Sequence, residues 1–427
     1  MESQNDRSGA VTIVPLTPSD RDRVLDVDHS AFFSDPQSFD PDVVMAHFDY
    51  DRTFGASRDG GSTLCGTYTS YDMQVTVPGP AGSLAQLPMA GLSWVSVHPD
   101  HRRRGVLRAM LDHHFTQLHE AGVALSGLHA AEVPIYGRFG YAVASLEVNL
   151  HVGRGTTFTA PALDDDAASV ETRFVPADSD EAAARLHDLH LRHAAVTLGA
   201  VTRPDRMSRN ICIDQPAQRR DREPAQVMFA YRDGEPTGYA RFARRMKWEN
   251  GNASSSVEVG EIAALDAGSL LALTRRMVDF DLTTSVAIGN RGMDDALVWW
   301  AGGPRSAGIK AYDSLWLRLV DVDAALTRRG YAAGCDVVLD VVDEVCPWNQ
   351  RRWRLSADDK GVASCEPTSA AADLRLPVQV LGAAYLGSRS VAAQAYQGLV
   401  EELRAGAVDE LARALASVRE PASAVPF

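Results

Sequence analysis

Leu92-Ser93-Trp94-Val95-Ser96-Val97-His98-Pro99-Asp100-His101-Arg102-Arg103-Arg104-Gly105-Val106-Leu107-Arg108-Ala109-Met110-Leu111 decides the fold of this chain. It reads as a strand, a turn begun by Pro99-Asp100, an arginine-rich loop ending in glycine, and the start of a helix. The first turn of a helix leaves backbone N–H groups without partners, at the positive end of the macrodipole. That makes it an anion site. Gly105 removes a side chain where the backbone must approach a phosphate. The arginines add charge-assisted hydrogen bonds. Lys247, Lys310 and Lys360 are the only lysines, so an arginine run in this chain is on its own no more than a solvated basic patch. Its place between a strand and an amphipathic helix predicts a pyrophosphate cradle.

Working outward, Leu107, Met110, Leu111, Phe115 and Leu118 put an apolar stripe on a helix over about 105–121, with Gly122 at the expected C-cap. A strand over Val123–Leu128 and a short helix near 133–138 follow. Before the motif come a strand at Val11–Val14, a helix at 19–32, a polar loop from Ser34 to Pro41, and strands at 63–70, 72–77 and 85–97. Gly153, Gly155, Pro161 and Asp164-Asp165-Asp166 mark a boundary. The middle block has a helix at 179–197, a hairpin turning at Asp233-Gly234-Glu235-Pro236, a strand at Val257–Leu265 and a helix at 267–280. After Gly302-Gly303-Pro304, strands are expected at 314–320, 336–343, 351–356 and 373–376, and helices at 322–329, 377–386 and 407–418. The pattern is α/β with mixed sheets, in three blocks: 1–155, 156–305 and 306–427.

Composition narrows the function. Of 427 residues, 45% are hydrophobic and 23% charged, ordinary globular usage. The formal charge of −14 disfavours nucleic acid and favours a cationic partner. No stretch approaches the ~20 apolar residues of a membrane span. The polar run Glu2–Ser8 has no signal-peptide character, so a cytoplasmic location without a membrane partner is expected. Five widely spaced cysteines without a CxxC pair organise neither a disulfide framework nor a zinc site. Adjacent His113-His114 lack metal-ligand spacing, and no metal is expected.

The motif Arg102-Arg103-Arg104-Gly105-Val106-Leu107 resembles the acetyl-CoA signature Q/R-x-x-G-x-G/A of the GCN5-related N-acetyltransferases, with Leu107 in place of the last small residue. Together with Ile135-Tyr136-Gly137-Arg138-Phe139-Gly140-Tyr141, it resembles one branch, the enhanced intracellular survival (Eis) proteins of actinobacteria. The resemblance covers the whole chain. It implies a catalytic acetyltransferase fold over 1–155, a degenerate second copy over 156–305 and a sterol-carrier-like α+β domain over 306–427. Ser314–Val322 resembles the strand that opens that last domain.

The resemblance implies that acetyl-CoA is the co-substrate. Main-chain groups of Val95, Ser96 and Val97 would pair with the pantetheine arm, and Arg103, Arg104, Gly105, Val106, Leu107 and Arg108 would hold the pyrophosphate. Ala131-Glu132 stand beside the cofactor where family members carry Ser-Glu. Tyr136 would protonate the leaving thiolate, a match of comparable pKa values. The α-carboxylate of Phe427 would enter the site as the base, and read without the resemblance that tail is a frayed end. Asp35 is a candidate for the acceptor's ammonium groups, although Asp is also an ordinary turn residue there. The implied activity is N-acetylation of primary amines on polycationic small molecules, aminoglycosides at more than one position, by a homo-hexamer. Protein-lysine acetylation, or non-catalytic holding of acyl-CoA or lipid, are the alternatives. Asp266 at the start of the middle block's helix competes with phosphate, so that block is expected to bind no CoA.

Overall fold

The computed structural model describes residues 10–35, 40–423 and 425–427. Part of the polar loop Ser34–Pro41, and position 424 of the tail, lie outside the described residues. The first sheet is built from β1 (Thr12–Pro15), β2 (Thr53–Ser57), β3 (Leu64–Pro78), β4 (Leu84–Val97), β5 (Leu125–His129) and β6 (Ala142–Val143). Its order is β1-β2-β3-β4-β5, then the strand Leu315–Leu319, then β6. The helices α1 (Arg21–Phe32), α2 (Pro41–Met45) and α3 (Val106–Glu120) accompany it. Helix α3 buries Val106, Met110, Leu111, Phe115 and Leu118 against Ala90, Leu92, Leu128 and Tyr141. Each such side chain contributes about 1.5–3 kcal/mol. The expected stripe therefore anchors the helix that follows the arginine loop.

The expected strands at 63–70 and 72–77 are one strand. In β3 the first eight residues are all buried, and alternation starts only at Asp72. β3 and β4 form a long antiparallel hairpin with one irregularity: Thr67 pairs with Ser96 but Thr69 with Ser93. The extra residue in β4 is accommodated by a bulge in which Trp94 has φ +53°.

The strand β7 (Leu146–Gly153) leaves the first sheet for the second, where it lies between Lys310–Asp313 and Thr283–Gly292. The rest of that sheet is Ser255–Ala264, Glu235–Arg245, Gln226–Arg232 and Glu171–Pro176. Asp233 and Gly234 both have positive φ, as a two-residue hairpin turn demands. The chain then returns. Leu315–Leu319, read from sequence beside the third block, is hydrogen-bonded between β5 and β6, with Leu317 opposite Gly127 and Ala142. All five of its residues are buried, as for an interior strand.

The third block has its own five-stranded sheet, ordered Ala363–Pro367, Arg352–Ala357, Cys335–Val342, Leu374–Pro377 and Glu401–Glu402. Its core holds the buried Arg329 guanidinium, 5.1 and 5.6 Å from the Tyr331 and Tyr385 rings and hydrogen-bonded to the carbonyls of Ala384 and Leu415. A buried pair, Arg318 with Asp343, ties the returning strand to this block.

Candidate active site

The parallel pairing of β4 and β5 is confined to Ala90–Ser126 and Gly91–Gly127. Beyond these pairs the strands part, and a cavity of about 660 Å³ opens toward the start of α3. Val95 and Val97 of β4 line it. So do Arg103, Gly105, Val106, Leu107 and Arg108, and across the cleft Ala131, Glu132 and Tyr136. Ser96 turns away, its hydroxyl donating to the buried Asp28 carboxyl of α1 at 2.9 Å. Arg104, Asp35 and Phe427 do not line this cavity. Ala31 and Phe32 of α1, His101, Arg102, Ile135, Arg138 and Phe139 do. Arg102, Ile135, Arg138 and Phe139 stood inside the two quoted motifs; nothing in the sequence pointed to Ala31 and Phe32.

The loop geometry is that of an anion cradle. Arg103 (φ +61°) and Gly105 (φ +80°) are both left-handed, so successive N–H groups converge. Gly105 is the N-cap of α3, and no side chain caps that end. Among the described residues, Arg103, Arg104, Arg108 and Arg138 form no ion pair, and Arg108 and Arg138 each lie 5.8 Å from the Phe139 ring. Unpaired guanidinium groups around free helix N–H groups suit a pyrophosphate.

Tyr136 sits at the end of the short helix Val133–Tyr136, edge-on to Tyr141 at 6.0 Å. Burial, reinforced by Glu132, pushes its phenol up to about 12, so it is a neutral proton donor at pH 7. Gly140 (φ +87°) closes the same turn, and a Cβ there would lie 2.6 Å from the Arg318 guanidinium. The second glycine of Tyr136-Gly137-Arg138-Phe139-Gly140 is therefore fixed by a buried arginine from 178 residues away.

The described residues of the final segment are docked on the folds rather than frayed. The Ala422 N–H donates to the Leu198 carbonyl at 2.8 Å, and Ala422 crosses above Gly292. The Ser423 hydroxyl lies 3.5 Å from His129 Nε2, and Val425 is buried. The Phe427 ring stands edge-on to His129 at 5.0 Å and covers Gly91, the last β4 residue paired with β5. Burial pulls His129 down to about 4, so it is neutral near pH 7. Asp266 caps the helix Ala267–Met277 by accepting from the Ser269 N–H at 2.8 Å, which occupies the corresponding helix start of the middle block. Among the described residues, no cluster of three or more His, Cys, Asp or Glu suits a metal, and no helix is long and apolar enough to cross a membrane.

Two acetyltransferase (GNAT) family models match residues 12–144 and 199–329, and a sterol carrier protein model matches 322–424. The chain is 32% identical to the N-acetyltransferase Eis of Mycobacterium bovis, over 78% of each protein. It belongs to the Eis family of GCN5-related N-acetyltransferases. An uncharacterised N-acetyltransferase of Streptomyces coelicolor is 40% identical over 84% of this chain and 86% of that protein. Eis1 from Mycobacterium abscessus superposes with a TM-score of 0.80, covering 98% of this chain and all of that one, at 26% identity. The chain is thus an acyltransferase with two GNAT folds and a sterol-carrier-like domain. The second GNAT match also spans the returning strand Leu315–Leu319.

Proposed function

We propose that the cleft between β4 and β5 binds acetyl-CoA and that the chain acetylates primary amines of polycationic small molecules, aminoglycosides at more than one position. Arg103, Gly105, Val106, Leu107 and Arg108 hold the pyrophosphate, and the main chain of Val95 to Val97 pairs with the pantetheine arm. The amine nitrogen attacks the thioester carbonyl and gives a proton to the Phe427 carboxylate. As the C–S bond breaks, the thiolate takes a proton from Tyr136. A carboxylate near its ordinary value of about 3.5 is a weak base, so a water relay or desolvation assists it.

The observation that carries this reading is the seat of Phe427 on Gly91, where β4 and β5 part. A cationic acceptor is supported by carboxylates beside the tail. Glu147 is pushed up by burial and then by Asp313, and Glu420 by burial and then by Asp294. A cation there relieves both repulsions. Asp35, exposed just after α1, is a further candidate for the acceptor's ammonium groups. The homo-hexameric state and the cytoplasmic location rest on the family resemblance and the sequence.

The test is thiol release from acetyl-CoA with an aminoglycoside acceptor, followed by mass spectrometry of the product. Tyr136→Phe, and separately one alanine appended after Phe427, each abolish turnover. Full activity in both overturns the mechanism. Mass gain on a lysine peptide, with none on any aminoglycoside, overturns the acceptor.

A further inference from the structure

The middle fold retains a feature that packing alone does not require. Its strand Ser255–Ala264 carries a bulge at Gly260: Arg241 pairs with Glu261 but Phe242 with Val259. Parallel pairing with Thr283–Gly292 stops at Val259–Ile288, so these strands part as β4 and β5 do. At that point, on the sheet face away from the helix Ala267–Met277, lies a cavity of about 450 Å³. This is within the size range of small-molecule sites. Its floor lies close to the sheet backbone because Ala243, Gly260, Ala287 and Gly289 are small, and side chains between Ile213 and Ala225 form its wall.

The charges in and around it are unbalanced. Arg219 pairs with Asp214 (2.6 Å), Arg244 with Glu223 (2.7 Å), and Arg222 and Arg245 share Glu258 (3.5 and 2.9 Å). Arg241 faces the cavity without an ion pair among the described residues, and its buried Nε has no hydrogen-bond partner. The nearby Glu261 is already held by Arg203 at 2.9 Å. Five guanidinium groups therefore meet three carboxylates, in a chain whose acidic residues outnumber its basic ones. A half-buried guanidinium with a buried, idle Nε donor is costly until an anion meets it.

We propose that this cavity is a second small-molecule site, taking an organic anion whose carboxylate lies on Arg241. A planar carboxylate fits the guanidinium fork. The donors around it are side chains, Arg241 and Gln218 among them, rather than a helix N-terminus or glycine loop, which sets the site apart from a phosphate cradle. Ile213, Ala243 and Ala287 receive the carbon skeleton.

The test uses the full chain, with sodium benzoate and N-acetylglycine as probes and inorganic phosphate as comparator, in titration calorimetry and thermal melting. A carboxylate binds one per chain and raises the melting temperature with concentration. Arg241→Gln weakens it by about tenfold or more, and Arg241→Lys by less. Arg241→Gln also melts higher than wild type without ligand, because a half-buried charge without an ion pair is gone. The proposal is overturned by no binding at millimolar carboxylate, by equal binding to Arg241→Gln, or by phosphate binding as tightly as the carboxylates. Protection of the cavity by a second copy of the chain, with no response to carboxylate, also overturns it.

Discussion

Gly91→Ala tests the seat of Phe427 without altering any group that reacts. Gly91 lies in ordinary strand conformation, so alanine costs the backbone nothing. The added Cβ, however, would lie 2.6 Å from Met73 Sδ and 3.0–3.1 Å from two carbons of the Phe427 ring. The thioether is the far end of a flexible side chain and swings aside. The ring must retreat by roughly half an ångström or more, and overpacking of this kind costs about 1–3 kcal/mol. Misplacement of a catalytic group by about 1 Å costs on the order of 100-fold in rate. The expected result is a 10- to 100-fold fall in kcat, roughly, with KM for acetyl-CoA within about twofold, because the cofactor residues Val95 to Arg108 are untouched. Gly127→Ala is the matched control. Gly127 pairs with Gly91, and its Cβ would meet Met89 Sδ at the same 2.6 Å, but its three nearest neighbours are atoms of Met89 and Leu315 rather than Phe427. Steady-state thiol release from both variants, with melting temperatures alongside, separates packing from placement. If Gly91→Ala melts lower yet keeps its kcat, or if Gly127→Ala loses as much, the seat of the ring does not matter to the chemistry.

Other outcomes follow from buried charge. His47, His129 and His193 are held down to about 4, and His114 and His190 to about 3, mainly by burial. Unfolded, each binds a proton near pH 6.5, so stability is complete above that value and is lost as pH falls toward 4. Each contributes a slope of up to about 1.4 kcal/mol per pH unit, together about 7, comparable with a domain's whole stability. Melting temperature against pH checks this, and a flat profile from pH 7 to pH 5 refutes it. Arg203→Met strands Glu261, which Arg203 holds through two 2.9 Å bonds and keeps at about 2 despite burial. A loss of about 3–5 kcal/mol in denaturant unfolding is expected, partly recovered by Glu261→Gln in the same chain. Gly140→Ala adds about 1–2 kcal/mol of left-handed strain to a clash with Arg318. It should lower both the melting temperature and kcat, and a wild-type melt would count against the arrangement around Tyr136.

The arginine loop was legible because it is local. Strand, glycine and helix follow one another within twenty residues, and each has its own pattern. The Asp233-Gly234 turn and the Asp266 cap were legible for the same reason. The bulge at Trp94 was not, since a tryptophan at positive φ carries no sequence signal. Nor was the continuity of β3, where an unbroken buried run hides the period of two. The interleaving of sheets was hidden more deeply. Leu315-Trp316-Leu317-Arg318-Leu319 reads as an interior strand, but its apolar pattern does not say which sheet it enters. The choice is made by an open edge on β5, about 190 residues earlier in the sequence. Ala31 and Phe32 were missed because the end of α1 reaches the cavity through tertiary packing alone.

That returning strand sets an order of events during synthesis. When the ribosome has made the cofactor loop and the Tyr136 turn, β5 still has a bare edge, and Gly140 still lacks the guanidinium it was shaped to admit. Both wait for residues 315–319, which arrive only after the whole middle fold has emerged. The catalytic fold is therefore not a cassette that can be excised or shuffled at a linker. The two acetyltransferase folds are stitched together by one strand in each direction, so cutting the chain between them leaves a sheet short of a strand on either side.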